Sequence, residues 1–427
     1  MTESARASAS GRNGSNGSGG LAGWQDASRV PYAVFTDPTV YRREQERIFR
    51  GPVWSFVALA SELPEAGDFK ATFVGENPVV VTRDAEGALH AWVNRCAHRG
   101  AIVCREPRGN ATDFTCVYHQ WCYDPAGRLL GVPFRKGNKG KGGYPKDFRV
   151  ADHGLTPLSV ASHKDLIFVS FDPAAKPLAD YLGVEMRHWI DRVFPRPTRV
   201  LGYARQYIHA NWKLYLENVK DPYHASLLHL FHATFGIYRS SMGGGVIQDA
   251  ETGLHSIIRA FKIEEEELGE YKKGMRTYDE TSKLSDPSLL RGKPELEPVL
   301  TNHIQILFPS VVVQQIENTL AVRQIVPKGV DAMELTFIFF GFEDDDDAML
   351  AQRLKQANFV GPAGYISMED GEAIELVQRS VREAPEETSV IDLGGKEHGN
   401  EENLITESMV RSFWAGYRDL MCFGAEE

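Results

Sequence analysis

The alternation of apolar and polar positions divides the chain into two regions of different character. Between about residues 51 and 165, short apolar runs such as VWSFVAL, PVVVTRD and LHAWVN are separated by turns rich in Gly, Pro and Asp. This pattern is typical of a small all-β domain. Further on, strand-like runs such as HIQILFP and ELTFIFFGF stand beside longer helical segments. Grouped strands and grouped helices predict an α+β fold, in which helices cover an antiparallel sheet in the larger region.

The same pattern predicts four segments along the 427 residues. Residues 1–24 are rich in Ser, Gly, Ala and Asn, a composition that indicates a disordered tail. Residues 25–50 contain the amphipathic stretch TDPTVYRREQERIFR, which predicts a helix that packs on the larger domain. The all-β domain is predicted at 51–165 and the larger domain at 166–427.

Composition narrows the classes of partner and the cellular compartment. The net charge of −11 argues against a nucleic acid or an anionic membrane surface as partner. The sequence contains no run of about eighteen apolar residues, so no membrane span is predicted. The N-terminus lacks the apolar core of a signal peptide. We therefore expect a cytoplasmic location. In that reducing compartment, metal binding is a commoner use of the five cysteines than disulfides.

Two tight Cys–His pairs are the first candidate metal site. NRCAHRG places Cys96 two residues before His98, and CVYHQW places Cys116 three residues before His119. A structural zinc ion accepts two Cys and two His ligands in a tetrahedron, which would make the chain a zinc-stabilised binding protein without redox chemistry. Each pair is mixed, however. A Rieske 2Fe–2S cluster holds one iron by two cysteines and the other by two histidines, and the mixed pairing favours that cluster.

A second set of candidate ligands lies in ENVKDPYHASLLH and SMEDGEAIEL. His224 and His229 would be about 140° apart on an unbroken helix, so we expect the backbone to deviate near Asp221–Pro222. Asp370 is the candidate third ligand, with Glu369 beside it as the alternative carboxylate. Two histidines and one carboxylate form a facial triad that leaves positions on Fe(II) open for O₂ and substrate. Such an iron needs electrons one at a time, and a 2Fe–2S cluster supplies them.

Together, CAHRG…CVYHQW and NWKLYLENVKDPYHASLLH resemble the large (alpha) subunit of the Rieske non-haem iron aromatic-ring-hydroxylating oxygenases. The resemblance runs from about residue 29 to the C-terminus. Carried over residue by residue, it implies a 2Fe–2S cluster held by Cys96, His98, Cys116 and His119, and a mononuclear iron held by His224, His229 and Asp370.

The resemblance also implies partners and an electron route. Electrons would pass from NAD(P)H through a reductase and a ferredoxin to the cluster, with O₂ as co-substrate. Large subunits of this family form a head-to-tail homotrimer, often with a small (beta) subunit. Asp221 matches the aspartate that hydrogen-bonds histidines of both centres, and through it electrons cross from one subunit's cluster to the neighbour's iron.

The stretches GPAGYISMEDGEA, GVPFRKG and AVRQIVPKG resemble the branch of the family that acts on aromatic acids. This branch implies dioxygenation of anthranilate to catechol as the first choice, with terephthalate dioxygenation and salicylate 5-hydroxylation as alternatives. An arginine fork would bind the carboxylate, and Arg323 and Arg411 are the candidates. His303, Gln314 and Gln315 are the further candidates for lining the pocket and binding an ortho amino or hydroxyl group.

Overall fold

The computed structural model describes residues 21, 23–263 and 269–423. Most of the predicted tail, 1–24, lies outside these residues. Leu21 and Trp24, however, are buried, and the Trp24 ring packs edge-on against Trp414 with 5.7 Å between ring centroids. The predicted tail therefore extends too far, because its last large apolar side chains belong to the core.

The N-terminal segment packs against the C-terminal part of the chain. It contains α1 (Ala33–Thr36), α2 (Pro38–Glu44) and a π-helical turn (Gln45–Phe49). The side chain of Asp37 accepts a hydrogen bond from the Thr39 amide and caps α2. Phe35 is buried with its ring centroid 5.4 Å from that of Trp414.

The next part of the chain forms three small antiparallel sheets from ten strands. They are β1 (Ser55–Leu59), β2 (Asp68–Val74), β3 (Asn77–Arg83), β4 (Leu89–Val93), β5 (Arg108–Asn110), β6 (Phe114–Thr115), β7 (Cys122–Tyr123), β8 (Leu129–Gly131), β9 (Ser159–His163) and β10 (Leu166–Ser170). The strand orders are β4-β3-β2-β5, β6-β7-β8 and β1-β10-β9. Trp92, Phe114 and Tyr123 form a buried cluster that also contains Cys96 and Cys116.

The predicted boundary between residues 165 and 166 is wrong in its position. It falls in the short turn between β9 and β10, which pair from His163↔Leu166 to Ser159↔Ser170. Strand β10 also pairs with β1 at the start of the all-β region. This sheet therefore extends the all-β region to Ser170. The sequence of β10, LIFVS, does not indicate that this strand pairs with β1, which lies about a hundred residues earlier.

The larger region is built on one seven-stranded antiparallel sheet of order β11-β17-β16-β15-β14-β13-β12. Its strands are β11 (Thr198–Ile208), β12 (Gly243–Gln248), β13 (Ser256–Phe261), β14 (Asn302–Leu307), β15 (Val311–Ile316), β16 (Thr319–Pro327) and β17 (Met333–Phe342). Every residue of β15 and β16 is buried, because both faces of the sheet are covered.

Helices cover both faces of this sheet, which confirms the predicted α+β fold. They are α3 (Leu178–Val193), α4 (Trp212–Lys220), α5 (Ala225–Leu228), α6 (Leu230–Phe235), α7 (Gly269–Lys272), α8 (Asp347–Val360), α9 (Tyr365–Val381) and α10 (Ser408–Met421). Val322 and Phe340 pack in one core with Ile190 of α3. Ala321 and Phe337, on the opposite face, pack in another with Leu216 of α4. None of the helices described is long and apolar enough to cross a membrane.

A buried ion pair joins the N-terminal segment to α4. Lys213 Nζ lies 2.6 Å from Glu44 Oε1, and both side chains have no exposed surface. Trp212 Nε1 and the Tyr417 hydroxyl also donate to the Glu44 carboxylate, while Lys213 Nζ donates to Asn211 Oδ1 at 2.7 Å. Burial lowers the pKa of Lys213, an effect that Glu44 partly offsets. The pair is thus satisfied by neighbours from α10 and from the start of α4.

We expect Lys213→Met to lower the free energy of unfolding by about 3–5 kcal/mol, because it leaves the Glu44 carboxylate buried without its cation. Lys176→Met is the control, since Lys176 and Glu251 form an exposed pair whose loss should cost less than about 1 kcal/mol. Urea denaturation followed by tryptophan fluorescence measures both. Equal effects of the two substitutions would contradict the prediction.

Candidate metal centres

Two loops of matching backbone geometry present the first four candidate ligands. In the first loop, the Cys96 amide donates to the carbonyl five residues on, and its carbonyl accepts from Gly100 N–H at 2.9 Å. The Cys116 loop repeats both bonds, with Gln120 in the place of Gly100. Gly100 and Gln120 both have left-handed φ values, +76° and +54°. The two loops therefore hold their cysteines in equivalent positions.

The four side chains meet where the two loops adjoin. Cys96 and Cys116 are buried, whereas the His98 and His119 rings are half-buried, with 4.5 Å between their centroids. The indole of Trp121 stacks on His98 at 4.9 Å. Burial, together with the neighbouring His119, lowers the pKa of His98, which favours the neutral ring that binds metal.

Tyr123 is a further polar contact of this site. Its hydroxyl lies 3.2 Å from Cys96 Sγ and accepts from the Ala97 amide at 3.2 Å. Burial raises the pKa of Tyr123, so the hydroxyl keeps its proton and can donate it to the sulfur. Hydrogen bonds to cluster sulfurs are one of the factors that set the reduction potential of such a site.

The spacing of these ligands fits two irons better than one zinc. In a zinc tetrahedron, the four ligand atoms lie within about 4 Å of one another. Among the residues described, His224, His229 and Asp370 form the group whose potential ligand atoms all lie within 4.8 Å of one another. The Cys–His set is more widely spread, as a cluster ligated pairwise allows.

The second site depends on an interruption of the helical backbone. Helix α4 ends at Lys220, and Asp221 has an extended conformation. The next helix, α5, has one turn, with His224 and His229 as the residues flanking it. The Nε2 atoms of the two histidines lie 3.4 and 3.2 Å from Oδ1 of Asp370 on α9. The expected deviation thus occurs, and the three candidate ligands converge.

Hydrogen bonds to the outer ring nitrogens orient both histidines. His224 Nδ1 lies 2.6 Å from the Asp221 carbonyl oxygen, and His229 Nδ1 lies 2.7 Å from Glu369 Oε2. Both partners accept hydrogen bonds, so each Nδ1 donates, and the Nε2 atoms are the ones that would bind a metal. Glu369 is therefore placed to orient His229, while Asp370 faces the centre of the site.

Asp370 is the carboxylate whose ionised form this site stabilises. Although burial opposes ionisation, His229 and His224 hold the pKa of Asp370 well below its usual range. Asn218 Nδ2 donates to its Oδ1 at 3.2 Å. Although burial opposes it, Asp370 and Glu369 raise the pKa of His229 to about 9. A metal would replace the Nε2 proton, and an ionised carboxylate with two neutral imidazoles is the donor set of a facial-triad iron site.

Asp221 lies between the candidate iron site and the surface. Its Oδ1 accepts from the Tyr223 and His224 amides at 2.9 and 3.2 Å, and its Oδ2 lies 3.7 Å from His224 Nδ1. It lines a cleft together with Glu217 and Glu407. Burial raises the pKa of Asp221, and it raises that of Glu217 to about 7.

A cavity adjoins the three converging ligands. Its polar lining includes Asn218, His232, Asn302 and Arg323, and its apolar wall contains Ile258, Ile304, Ile316 and Ile366. Burial, with the neighbouring His229, holds the pKa of His232 well below its usual range, so this imidazole is neutral. The cavity has a volume of about 60 Å³, so it must open further to admit an aromatic ring. Its lining places a cationic group and an apolar wall beside the candidate metal ligands.

Comparison with known proteins identifies the two halves of the chain. Residues 53–146 match the family model of the Rieske [2Fe-2S] domain, and residues 188–422 match that of the ring hydroxylating alpha subunit (catalytic domain). The chain belongs to the ring-hydroxylating oxygenase alpha subunits. These alpha subunits carry a Rieske 2Fe–2S cluster and a mononuclear iron, use O₂ as co-substrate, and work with a reductase and a ferredoxin. The predicted cofactors are thus confirmed, and the zinc alternative is set aside.

The names of three relatives of this alpha subunit each include an aromatic acid. It is 57% identical to the anthranilate 1,2-dioxygenase large subunit of Burkholderia cepacia, covering 93% of this chain and 94% of the relative. It is 46% identical to the terephthalate 1,2-dioxygenase terminal oxygenase component subunit alpha 2 of Comamonas sp, covering 93% and 97%. It is 41% identical to the salicylate 5-hydroxylase large oxygenase component of Ralstonia sp, covering 93% and 95%.

A solved structure shows the same architecture. Naphthalene 1,2-dioxygenase from Rhodococcus sp. bound to indole superposes with a TM-score of 0.75 at 26% identity, covering 92% of this chain and 94% of that one. This likeness extends over both the all-β region and the seven-stranded sheet of the alpha subunit.

Arg411 lies away from the cavity of this alpha subunit. It is fully buried in α10, and its guanidinium donates to the carbonyl oxygens of Ile391, Leu393 and Glu397. These bonds hold the segment before α10 against the helix. The geometry therefore does not support Arg411 as a carboxylate ligand, because its donors serve the backbone.

His303 and Gln315 lie on the other face of the sheet. They are paired across β14 and β15, and the His303 ring stacks on Trp189 of α3 at 5.5 Å. Asn302 and Ile304, which flank His303, line the cavity instead. Side chains alternate between faces along a strand, so the prediction missed the cavity by one position.

Sequence reasoning missed three polar residues of the cavity. Asn218 and His232 are each three residues from a predicted site residue, Asp221 and His229 respectively. This closeness in sequence could have indicated them. Asn302 has no such signal, because its strand, NHIQIL, carries polar residues on both faces.

We expect Asp370→Ala to lose the mononuclear iron while the visible absorption of the cluster persists, so that bound iron falls from about three to about two per chain. Glu369→Gln is the matched control. It keeps an oxygen that accepts from His229 and should retain nearly all its iron. Iron analysis of the purified variants decides between the two carboxylates, and the reverse pattern would make Glu369 the ligand.

Proposed function

We propose that this alpha subunit hydroxylates an aromatic monocarboxylate, with anthranilate as the first candidate. Arg323 carries the proposal. It is buried, it lines the same cavity as the candidate iron ligands, and its hydrogen-bond partners are the neutral groups of Gln314 and Tyr215. A buried guanidinium without a carboxylate is costly. A substrate carboxylate would supply the missing anion.

The hydrogen bonds of Arg323 leave two N–H groups for that carboxylate. Nε and one terminal nitrogen donate to Gln314 Oε1, and the other terminal nitrogen donates to the Tyr215 hydroxyl at 3.0 Å. Of the five N–H groups of a guanidinium, these bonds leave one on each terminal nitrogen. Charge-assisted hydrogen bonds from such groups are the strong contacts that a carboxylate makes.

The cavity lining favours an acid with a single carboxylate. Arg323 is the one Lys or Arg side chain among the described residues that line the cavity. The isoleucine wall provides an apolar surface for a ring. Terephthalate carries two carboxylates, whereas anthranilate and salicylate carry one. The sequence identities also favour anthranilate. The chain is 57% identical to the anthranilate relative, against 46% for the terephthalate relative and 41% for the salicylate relative.

In the proposed reaction, anthranilate, O₂, NAD(P)H and a proton give catechol, CO₂, ammonia and NAD(P)⁺. The mononuclear iron, when bound, supplies O₂ activation. The residues of this chain supply the rest: His224, His229 and Asp370 hold the metal, Arg323 fixes the carboxylate, and the isoleucine wall excludes water from the ring. The proposed ligands of the cluster are Cys96, His98, Cys116 and His119.

We also propose that the alpha subunits form a head-to-tail trimer, together with a small beta subunit. Asp221 would receive electrons from the neighbouring copy, since it lines a cleft beside the iron site. The cluster histidines are half-buried, and Val117 and Tyr118 beside them are exposed, which suits contact with another subunit. A cytoplasmic location is part of this proposal, and the five free cysteines support it.

The test of the carboxylate site compares acids and variants. We expect the wild-type enzyme with ferredoxin and reductase to convert anthranilate to catechol and to leave terephthalate unchanged. Arg323→Met should raise the Kd of anthranilate by about 10- to 100-fold, because it removes a charge-assisted bidentate hydrogen bond. Calorimetry without O₂ measures binding, and product analysis identifies the acid that reacts.

Arg379→Met is the control for this substitution. Arg379 is exposed on α9, the helix that carries Asp370, so its removal should leave anthranilate affinity unchanged. An unchanged Kd in Arg323→Met would contradict the carboxylate role. Turnover of terephthalate in preference to anthranilate would contradict the substrate assignment.

We expect Asp221→Asn to keep both metal centres and nearly to stop turnover, because the amide cannot replace the carboxylate between two histidines. The measurement is the rate at which the reduced cluster is reoxidised by O₂ and substrate, followed by stopped-flow absorption. Glu217→Gln in the same cleft is the control and should reoxidise faster than Asp221→Asn. Normal reoxidation in Asp221→Asn would exclude the bridging role.

A further inference from the structure

The cavity contains a polar side chain that the proposed function leaves unused. His232 is only 4% exposed, yet neither of its ring nitrogens makes a hydrogen bond of good geometry within the described part of the chain, although the Ala225 backbone is close enough to raise its pKa. An unpartnered polar group at such depth is destabilising, because it has given up its hydrogen bonds to water. Native proteins retain few such groups, and each requires an explanation.

Neighbouring rings hold His232 in place without satisfying it. Its ring contacts that of His229 edge-on at 4.8 Å and that of Tyr238 at 5.7 Å. The Tyr238 hydroxyl is directed elsewhere, because it donates to the Pro222 carbonyl at 2.7 Å. His232 is therefore a fixed donor and acceptor on the cavity wall, next to a candidate iron ligand.

The imidazole of His232 selects the matching substituent through its two ring nitrogens, which are polar and buried and have no hydrogen-bond partner in the described part of the chain. An amino or hydroxyl group on an aromatic ring can satisfy either nitrogen, whereas an unsubstituted ring offers only C–H groups. With the carboxylate bound to Arg323, a hydrogen bond between the substituent and His232, beside His229, would direct the substituted edge of the ring toward the iron site.

We propose that His232 hydrogen-bonds an amino or hydroxyl substituent of the aromatic acid, and so selects substituted benzoates over benzoate. This inference rests on the proposed function, because it takes an aromatic carboxylate as the ligand. It adds a specificity-determining residue at a position distinct from the carboxylate site.

The test measures Kd values of the iron-loaded enzyme by calorimetry without O₂. The acids are 2-aminobenzoate, 2-hydroxybenzoate, benzoate and 2-methylbenzoate, the last of which has a substituent of similar size that cannot hydrogen-bond. We expect the wild-type enzyme to bind the better of the first two at least about tenfold more tightly than 2-methylbenzoate, since a site built to hydrogen-bond rejects an analogue that cannot. Equal affinities would overturn the proposal without any variant.

In His232→Leu, this preference should fall to within about threefold while the Kd of benzoate stays within about threefold of wild type. His232→Gln retains a donor and an acceptor and should keep part of the preference. Tyr238→Phe is the matched control, because it alters a ring beside His232 without removing a free polar group, and it should keep the full preference. A preference retained in His232→Leu would overturn the proposal.

The two proposals fail in different ways. If the wild-type enzyme binds none of the acids, the proposed function is wrong. If it binds all of them through Arg323 with equal affinity, only the role of His232 is wrong. The preference between the amino and hydroxyl acids identifies which substituent His232 binds.

Discussion

The contact of one buried carboxylate with two imidazoles is the interaction on which the candidate iron site depends. His224 and His229 reach Asp370 only because α4 ends at Lys220 and α5 is a single turn. Asp221, at this break, accepts from His224 through its backbone carbonyl. The residue that interrupts the helix therefore also orients a ligand and lies on the cleft beside the site.

The other buried cations of the larger domain show which feature of Arg323 is unusual. Lys213 is paired with Glu44, and Arg353 lies between Glu295 and Asp345. Arg411 and Lys220 have neutral partners instead, namely backbone carbonyl oxygens and the Ser256 hydroxyl. Arg323 also has neutral partners, but it lines the cavity beside the candidate iron ligands. Its position, together with the lack of a paired anion, distinguishes it from these structural cations.

The two faces of the central sheet have different roles: one packs in the core, and the other contributes residues to the cavity. On the face toward α3, His303 packs on Trp189 and belongs to the core. On the opposite face, Asn302, Ile304 and Arg323 line the cavity. The same strands thus supply both the packing that holds the sheet and the lining of the proposed substrate site.

The sequence by itself determined the family, the α+β fold and the candidate metal ligands, because those ligands lie in short local motifs whose spacing is readable. It also indicated the helix break at Asp221. It could not separate Asp370 from Glu369, since adjacent helical residues differ only in direction. The structure favours Asp370, because Glu369 contacts the outer ring nitrogen of His229.

Only the tertiary structure decided which polar residues face the cavity. His303 and Asn302 are neighbours in sequence, and the register of β14 sends them to opposite faces. Strand β10 pairs with β1 in one sheet. Arg411 donates its hydrogen bonds to backbone carbonyl oxygens. These outcomes depend on contacts between distant segments. The physical reason is that a strand's pattern fixes alternation but not which face its partners will cover.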